Sequence, residues 1–352
     1  MRTVFALFCF VEVLVTGRSI KEAKRLMNEH NKSIQTKYNS RILPALVIIL
    51  IGPAVLFLLM SFSITRGAAQ IPINAVWEAF FNFNPNNTQH LIIIDLRLPR
   101  VIASALVGAA FAVSGSIMQG TTGNPLADSG LMGLNAGAGF ALSICFAFFP
   151  GMRYIKIILF SFAGAAFGAA LVNGAASMRR GRATPMRLVL AGAAVSSLLA
   201  ALSQGIAMYF DVAQNVMFWT AGGVAGSNWE QVRIMFPWVA GALLGAIALS
   251  RSISLLSLGE EAAKGLGLNT AAVNALCSLI VLILAGSSVS VVGAVGFVGL
   301  IIPHLTRFLV GVDYRWVIPS SAVLGAMLVV LADSKMPACA CNASHSKRMI
   351  SS

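Results

Sequence analysis

The sequence predicts an all-α protein, a polytopic transmembrane helix bundle, on three observations. First, 57% of the 352 residues are hydrophobic and 11% are charged, where a soluble domain carries about 25% charged residues. Second, the mean hydropathy is +0.82, and the apolar residues gather into runs near the roughly 20 residues that cross a bilayer as a helix. Third, the net charge of +13 sits between the apolar runs and not along one face. That is the positive-inside pattern of a membrane protein, and it argues against a nucleic-acid surface.

Taken in order, residues 1–26 read as an upstream extension. Val4–Val15 is apolar but too short to span, Glu12 interrupts it, and no small-residue cleavage site precedes the basic run Lys21–Arg25. Residues 27–41 form a basic segment, residues 42–333 the membrane domain, and residues 334–352 a polar tail without an apolar run. Nine spans are predicted: Ile42–Phe62, Val101–Gln119, Gly130–Phe149, Ile157–Ala176, Leu188–Met208, Ile234–Ser250, Ala271–Val291, Gly293–Val310 and Trp316–Ala332. Gly133/Gly137, Gly164/Gly168 and Gly241/Gly245 recur at spacing four, a pattern that lets helix backbones approach closely in lipid.

Basic residues set the orientation. An inside N-terminus collects the Lys21–Arg41 cluster, Arg179, Arg180, Arg182, Arg187, Arg251, Lys264, Arg307 and Arg315 on the cytoplasmic side. The loop Thr65–Asp95 then lies outside, together with Arg97 and Arg100.

Arg97 and Arg100 lie three apart on one face of a helix start. Cations there oppose the helix dipole, so something must offset them. Lipid phosphates would do so by snorkelling, and so would carboxylates of an outside partner through charge-assisted pairs. Asn124-Pro125-Leu126-Ala127-Asp128 reads as a short turn between two spans, because proline stops helix propagation and Asn caps the next segment. The basic run Arg179–Arg187 carries the breakers Gly181 and Pro185 and reads as a positive-inside anchor.

Leu258–Leu268 is the unusual inner element. Glu260 and Lys264 at spacing four support a short helix, flanked by Gly259, Gly265 and Gly267, with Glu261 beside them. A short helix docked into another protein's groove would use both the helix and the glycines. In Gly293–Arg307, Pro303 is expected to break or kink the helix, with His304 and Arg307 sharing a face just past it. His304 reads as a polar residue satisfied at that break, since the neighbouring spans offer no Asp or Glu for a proton relay.

Cys9, Cys145 and Cys277 are isolated in apolar stretches, and the Cys339/Cys341 pair has no zinc-spaced companions. The four histidines are scattered, so no metal site is expected. There is no G-x-x-x-x-G-K-[ST], H-E-x-x-H or G-x-S-x-G, and the chain is not expected to be an enzyme.

The runs RLPR, GAAFAVSG, QGTTGNPLA, LMGLNAGA, LVLAGAAV, FWTAGGVAGSNW, LGEEAAKGLGL, GFVGLIIPHLTR, GVDYR and AVLGAMLVVLAD occur in this order across residues 42–333. This series resembles the FecCD family, permease subunits of ATP-binding-cassette importers for iron-siderophores, haem and vitamin B12. The resemblance implies a type II importer permease fold in a bacterial cytoplasmic membrane, with an inside N-terminus. It implies a second permease chain, two ATPase subunits that bind the ATP and Mg, and an extracytoplasmic siderophore-binding lipoprotein; this chain itself binds no cofactor and no nucleic acid.

By resemblance, Arg97 and Arg100 dock the binding protein, and Gly259, Glu260, Glu261, Lys264, Gly265 and Gly267 couple to the ATPase. Thr184, Pro185 and Met186 correspond to the inner gate. Gly296, Gly299, Pro303 and His304 line or support the pathway. The family pattern continues with an arginine four residues past Asp333 and a tenth span; here that position is Pro337, and residues 334–352 supply no span. The resemblance points to ferric siderophores as cargo, with haem or cobalamin as the alternative. A secondary transporter would need intramembrane carboxylates that the spans scarcely offer.

Overall fold

A computed structural model describes residues 20–65, 72–82, 84–130, 132–177, 185–293 and 295–335. Most of the predicted extension 1–26, the tail from residue 336 and the loop through Thr184 lie outside the described residues. Every regular element among the described residues is helical. They are α1 (Ile20–Thr65), α2 (Ile73–Phe81), α3 (Thr88–Leu91), a π-helical turn (Ile92–Arg97), α4 (Leu98–Thr122), α5 (Leu134–Phe148), α6 (Tyr154–Ser177), α7 (Pro185–Tyr209), α8 (Ala213–Gly222), a 3₁₀ turn (Gly223–Gly226), α9 (Trp229–Leu256), α10 (Glu260–Gly265), α11 (Thr270–Val292), α12 (Val298–Val310) and α13 (Tyr314–Lys335).

Each predicted span corresponds to an apolar helix. Seven helices are long and apolar enough to cross a membrane, while α5 and α12 are shorter. The sequence starts these two spans at Gly130 and Gly293. The structure starts them at Leu134 and Val298, because left-handed residues at Gly133 (φ 73°) and Phe297 (φ 68°) bend the chain just before each helix. The stretch expected as a plain loop, Thr65–Asp95, contains α2 and α3, and α8 was likewise unforeseen.

Helix α4 is the centre of the bundle. In its segment 83% of the most apolar stretch is buried, against 11% for α1, which lies at the periphery of the bundle. Helices α9, α11, α12 and α13 surround α4. Two glycine crossings let them approach. A Cβ on Gly108 would collide with the Gly325 carbonyl of α13, and one on Gly115 with the Gly299 backbone of α12. Helices α5 and α6 meet on the predicted Gly133/Gly137 and Gly164/Gly168 faces, where each added Cβ would meet backbone or side-chain atoms of the other helix. Gly241 faces nothing within 4 Å and Gly245 only Ile280, so the third glycine pair makes no backbone crossing.

Pro303 does not break its helix: α12 runs through it. Proline removes the donor that would bond the carbonyl four residues earlier, here that of Gly299. The Gln119 side chain of α4 donates to that carbonyl (3.2 Å) and to Leu300's (3.3 Å) instead. Arg307 turns inward and donates to Gln119 Oε1 and, at 3.3 Å, to the Tyr314 hydroxyl, while His304 is exposed. The face predicted to be shared by His304 and Arg307 is thus split between surface and core.

Candidate functional site

The two ends of the bundle carry different chemistry. At one end Arg97 and Arg100 open α4, and both are half-buried. Arg100 grips Asp333, near the end of α13, with Nε 2.9 Å from Oδ2 and Nη2 2.6 Å from Oδ1. The Asp333 side chain is 6% exposed and that of Arg100 21%. Arg97 donates to the Ile64 carbonyl in the last turn of α1, where a cation meets the negative end of a helix dipole. The penalty of placing two cations at a helix start is thus offset inside the chain. Asp333 and Ile64 are the partners, far away in sequence.

The π-helical turn ahead of α4 has its own device. Leu98 N–H bonds back to the Ile93 carbonyl, and the next bond of that pattern would come from residue 99. Pro99 has no N–H, so the Ile94 carbonyl lacks a helical donor. The Trp229 indole supplies one at 2.8 Å. Trp229 is fixed in turn by the capping box of α9: Asn228 Oδ1 accepts from Gln231 N–H (2.9 Å), and Gln231 Oε1 accepts from Asn228 N–H (3.2 Å). The Arg233 guanidinium lies 5.9 Å from the Trp229 ring centroid. A Trp229→Phe substitution keeps the ring and loses the donor, which is expected to cost about 1–3 kcal/mol for the stranded carbonyl. Thermal unfolding of the purified protein measures it; an unchanged midpoint would exclude the bond as a support of the Arg97 segment.

At the other end, α10 links α9 to α11. Gly259 (φ 108°) and Gly267 (φ 82°) occupy left-handed backbone that favours glycine. Gly267 N–H bonds to the Lys264 carbonyl (2.9 Å) and Leu268 N–H to that of Ala263 (3.0 Å), the paired bonds of a Schellman stop. Lys264 Nζ lies 3.0 Å from Glu260 Oε1. Both ends of this pair are solvent-exposed, so it contributes only about 0.3–0.5 kcal/mol. The result is a six-residue helix whose acidic first turn, Glu260 and Glu261, lies at the surface. Leu258 and Leu266 stand 68% and 65% exposed on either side.

The turn at Asn124-Pro125 follows α4. Asn124 Oδ1 accepts from Leu126 N–H (3.0 Å), and its carbonyl accepts from Ala127 N–H (3.1 Å). The turn delivers Asp128 into the protein against Gly299. Burial raises its carboxyl above the usual range, against N–H bonds from Ser129 and Gly130 that lower it. Gly299 is buried and Gly296 exposed. Pro185 and Met186 open α7.

Sequence reading missed two groups. One is the partners of the arginines. The other is a cavity of about 410 Å³ between α5, α7 and α8, bordered by Asn135, Ser143, Ser203 and Gln204. Isolated polar residues in apolar spans were the available signal. Among the described residues no cluster of three or more His, Cys, Asp or Glu could hold a metal ion.

The FecCD transport family matches residues 55–336. Over 321 residues the chain is 49% identical to the iron(3+)-hydroxamate import system permease protein FhuB of Bacillus subtilis strain 168, covering 91% of this chain and 84% of that protein. It is 36% identical over 291 residues to the ferric enterobactin transport system permease protein FepD of Escherichia coli K12, covering 82% and 85%. Among solved structures, an inward-facing metal-chelate type ABC transporter superposes with a TM-score of 0.68 at 28% identity, covering 82% of this chain and 89% of that one.

Proposed function

Because the chain belongs to the FecCD transport family, we propose that it is the permease subunit of an ATP-binding-cassette importer that carries ferric siderophores across the bacterial cytoplasmic membrane. The observation that carries this reading is the 49% identity, over 91% of the chain, to a permease named for iron(3+)-hydroxamate import. The names of the relatives favour siderophores over haem or cobalamin. The N-terminus lies in the cytoplasm, as the distribution of Lys and Arg supports.

In this reading the Arg97/Arg100 end faces outward and receives an acidic solute-binding lipoprotein. The α10 end faces the cytoplasm, where Glu260, Glu261 and the exposed Leu258 and Leu266 sit in a groove of the ATPase. A second permease chain, identical or related, completes the pathway, with two ATPase subunits below. Thr184, Pro185 and Met186 form the inner gate. The chain hydrolyses nothing itself; ATP and Mg bind to the ATPase.

Radiolabelled iron uptake in a strain lacking its own permease, complemented with this chain and its companion subunits, tests the proposal. Uptake should cease when ATP is depleted with the proton gradient held, and survive the reverse treatment. The opposite pattern would sink it. Reversing both acids, Glu260→Lys with Glu261→Lys, should reduce uptake at least tenfold while leaving the amount of permease in the membrane unchanged. Uptake and ATP turnover equal to wild type would remove α10 from the coupling path.

A further inference from the structure

Near α10 the bundle holds a continuous series of polar contacts to which the importer reading gives no task. We infer that Arg307 and Gln119 are positioning residues for transport, and that with Tyr314 and Ser254 they form the joint through which a movement of α10 reaches α12; this rests on the importer reading above.

The series starts in the last turn of α9, which runs into α10 through Gly259. Ser254 Oγ accepts from the Tyr314 N–H at the start of α13 (2.9 Å). Beside it Ile253 and Tyr314, 0% and 2% exposed, both come down on Gly120 of α4. A Cβ on Gly120 would lie 2.7 Å from Ile253 Cγ2 and 2.8 Å from Tyr314 Cζ. Close-packed interiors transmit displacement, so a shift in the last turn of α9 is carried to Tyr314.

From Tyr314 the series enters α12. The Tyr314 hydroxyl accepts from Arg307 (3.3 Å), in the last turn of α12, and Arg307 also donates to Gln119 Oε1. The nitrogen of the same Gln119 amide donates to the Gly299 and Leu300 carbonyls, in the first turn of α12. Gly299, Pro303 and Arg307 recur at spacing four and share the face turned to α4. One buried amide on α4 thus holds both ends of α12.

Two observations make this a joint and not a lock. Among the described residues Arg307 makes no ion pair; its partners are a neutral amide and a hydroxyl. A guanidinium can exchange one neutral acceptor for another among its five donors, whereas a carboxylate would bind it in a stronger, charge-assisted pair. The second observation is the start of α12. Phe297, just before the helix, is a non-glycine residue in left-handed backbone (φ 68°), and Gly293 (φ 73°) lies four residues earlier. Strained backbone of this kind clusters at switch segments.

The assembled importer in proteoliposomes, with its ATPase and binding protein, tests the joint by two simultaneous readings: iron imported as a radiolabelled ferric trihydroxamate, and ATP consumed. Tyr314→Phe keeps the ring over Gly120 and removes the hydroxyl, while Ser254→Ala removes the acceptor of the Tyr314 N–H. Each should raise the ATP consumed per iron imported by about threefold or more, the loss of one hydrogen bond, at unchanged permease abundance. Arg307→Met should raise it by about tenfold or more, since charge-assisted bonds are lost, and Arg307→Lys should fall between. Because the links act in series, Tyr314→Phe combined with Ser254→Ala should fall short of the product of the single effects. A wild-type ratio in these variants would overturn the joint. So would uptake and ATP consumption falling together with the amount of folded permease, which a purely structural role predicts. Effects that multiply would put the two residues on separate routes and overturn the series. A wild-type complex that imports no iron and consumes no ATP would sink the importer reading itself, and this inference with it.

Discussion

Arg100→Glu is expected to remove most of the folded protein from the membrane, and with it all uptake. The substitution sets a carboxylate against the Asp333 carboxylate, which is 6% exposed and receives two short bonds from the guanidinium. Breaking a buried pair by removing one partner costs about 3–5 kcal/mol, and like charge adds to that. The loss falls on the α4–α13 contact, the most extensive between helices in the fold. The swap Arg100→Asp with Asp333→Arg should restore the amount of folded protein, because the opposite charges meet again at the same place. If Arg100 also receives the acidic binding protein, the swapped protein will assemble yet import poorly. Two measurements, permease abundance and iron uptake, therefore separate the structural role of this residue from its docking role. Arg100→Glu protein as abundant and heat-stable as wild type would mean that the pair supports nothing. Restored uptake in the swap would take Arg100 out of docking and leave Arg97 as the candidate.

This pair also marks the limit of what the sequence discloses. The charge conflict at the start of α4 was legible, since two cations at a helix N-terminus need an offset. The partners were not: Asp333 lies 233 positions away, and local spacing carries no information about which distant helix end arrives there. The prolines teach the same lesson. A break at Pro303 is the local expectation, but the stranded Gly299 carbonyl is bonded by Gln119, 180 positions earlier, and the helix continues. At Pro99 the Ile94 carbonyl is taken by Trp229, 135 positions later. The spans were readable because length and hydropathy are local properties, and so was the α10 helix between its glycines. The cavity was not, since Asn135, Ser143, Ser203 and Gln204 come from two helices and share no motif.

Gly115→Val should abolish the folded permease, whereas Gly241→Ala should leave it at least as stable as wild type. Both positions are glycines inside spans, and the spacing-four pattern marks Gly241 and passes over Gly115. At Gly115 a Cβ would overlap the Gly299 carbonyl and Cα. These are backbone atoms, and no rotamer change relieves them. Helix α12 would have to move off α4, and the Gln119 bonds that satisfy its proline-stranded carbonyl would go with it. Added methylenes in a packed core cost about 1–3 kcal/mol when side chains can yield; a backbone collision that also strands a carbonyl belongs at the top of that range or beyond. At Gly241 nothing lies within 4 Å, and alanine is the better helix former by about 1 kcal/mol. Heating the two variants in detergent and following the soluble fraction compares them directly. Equal stability would mean that α4 and α12 do not cross at these glycines, and the path from Asn124-Pro125 through Asp128 to Gly299 would lose its basis.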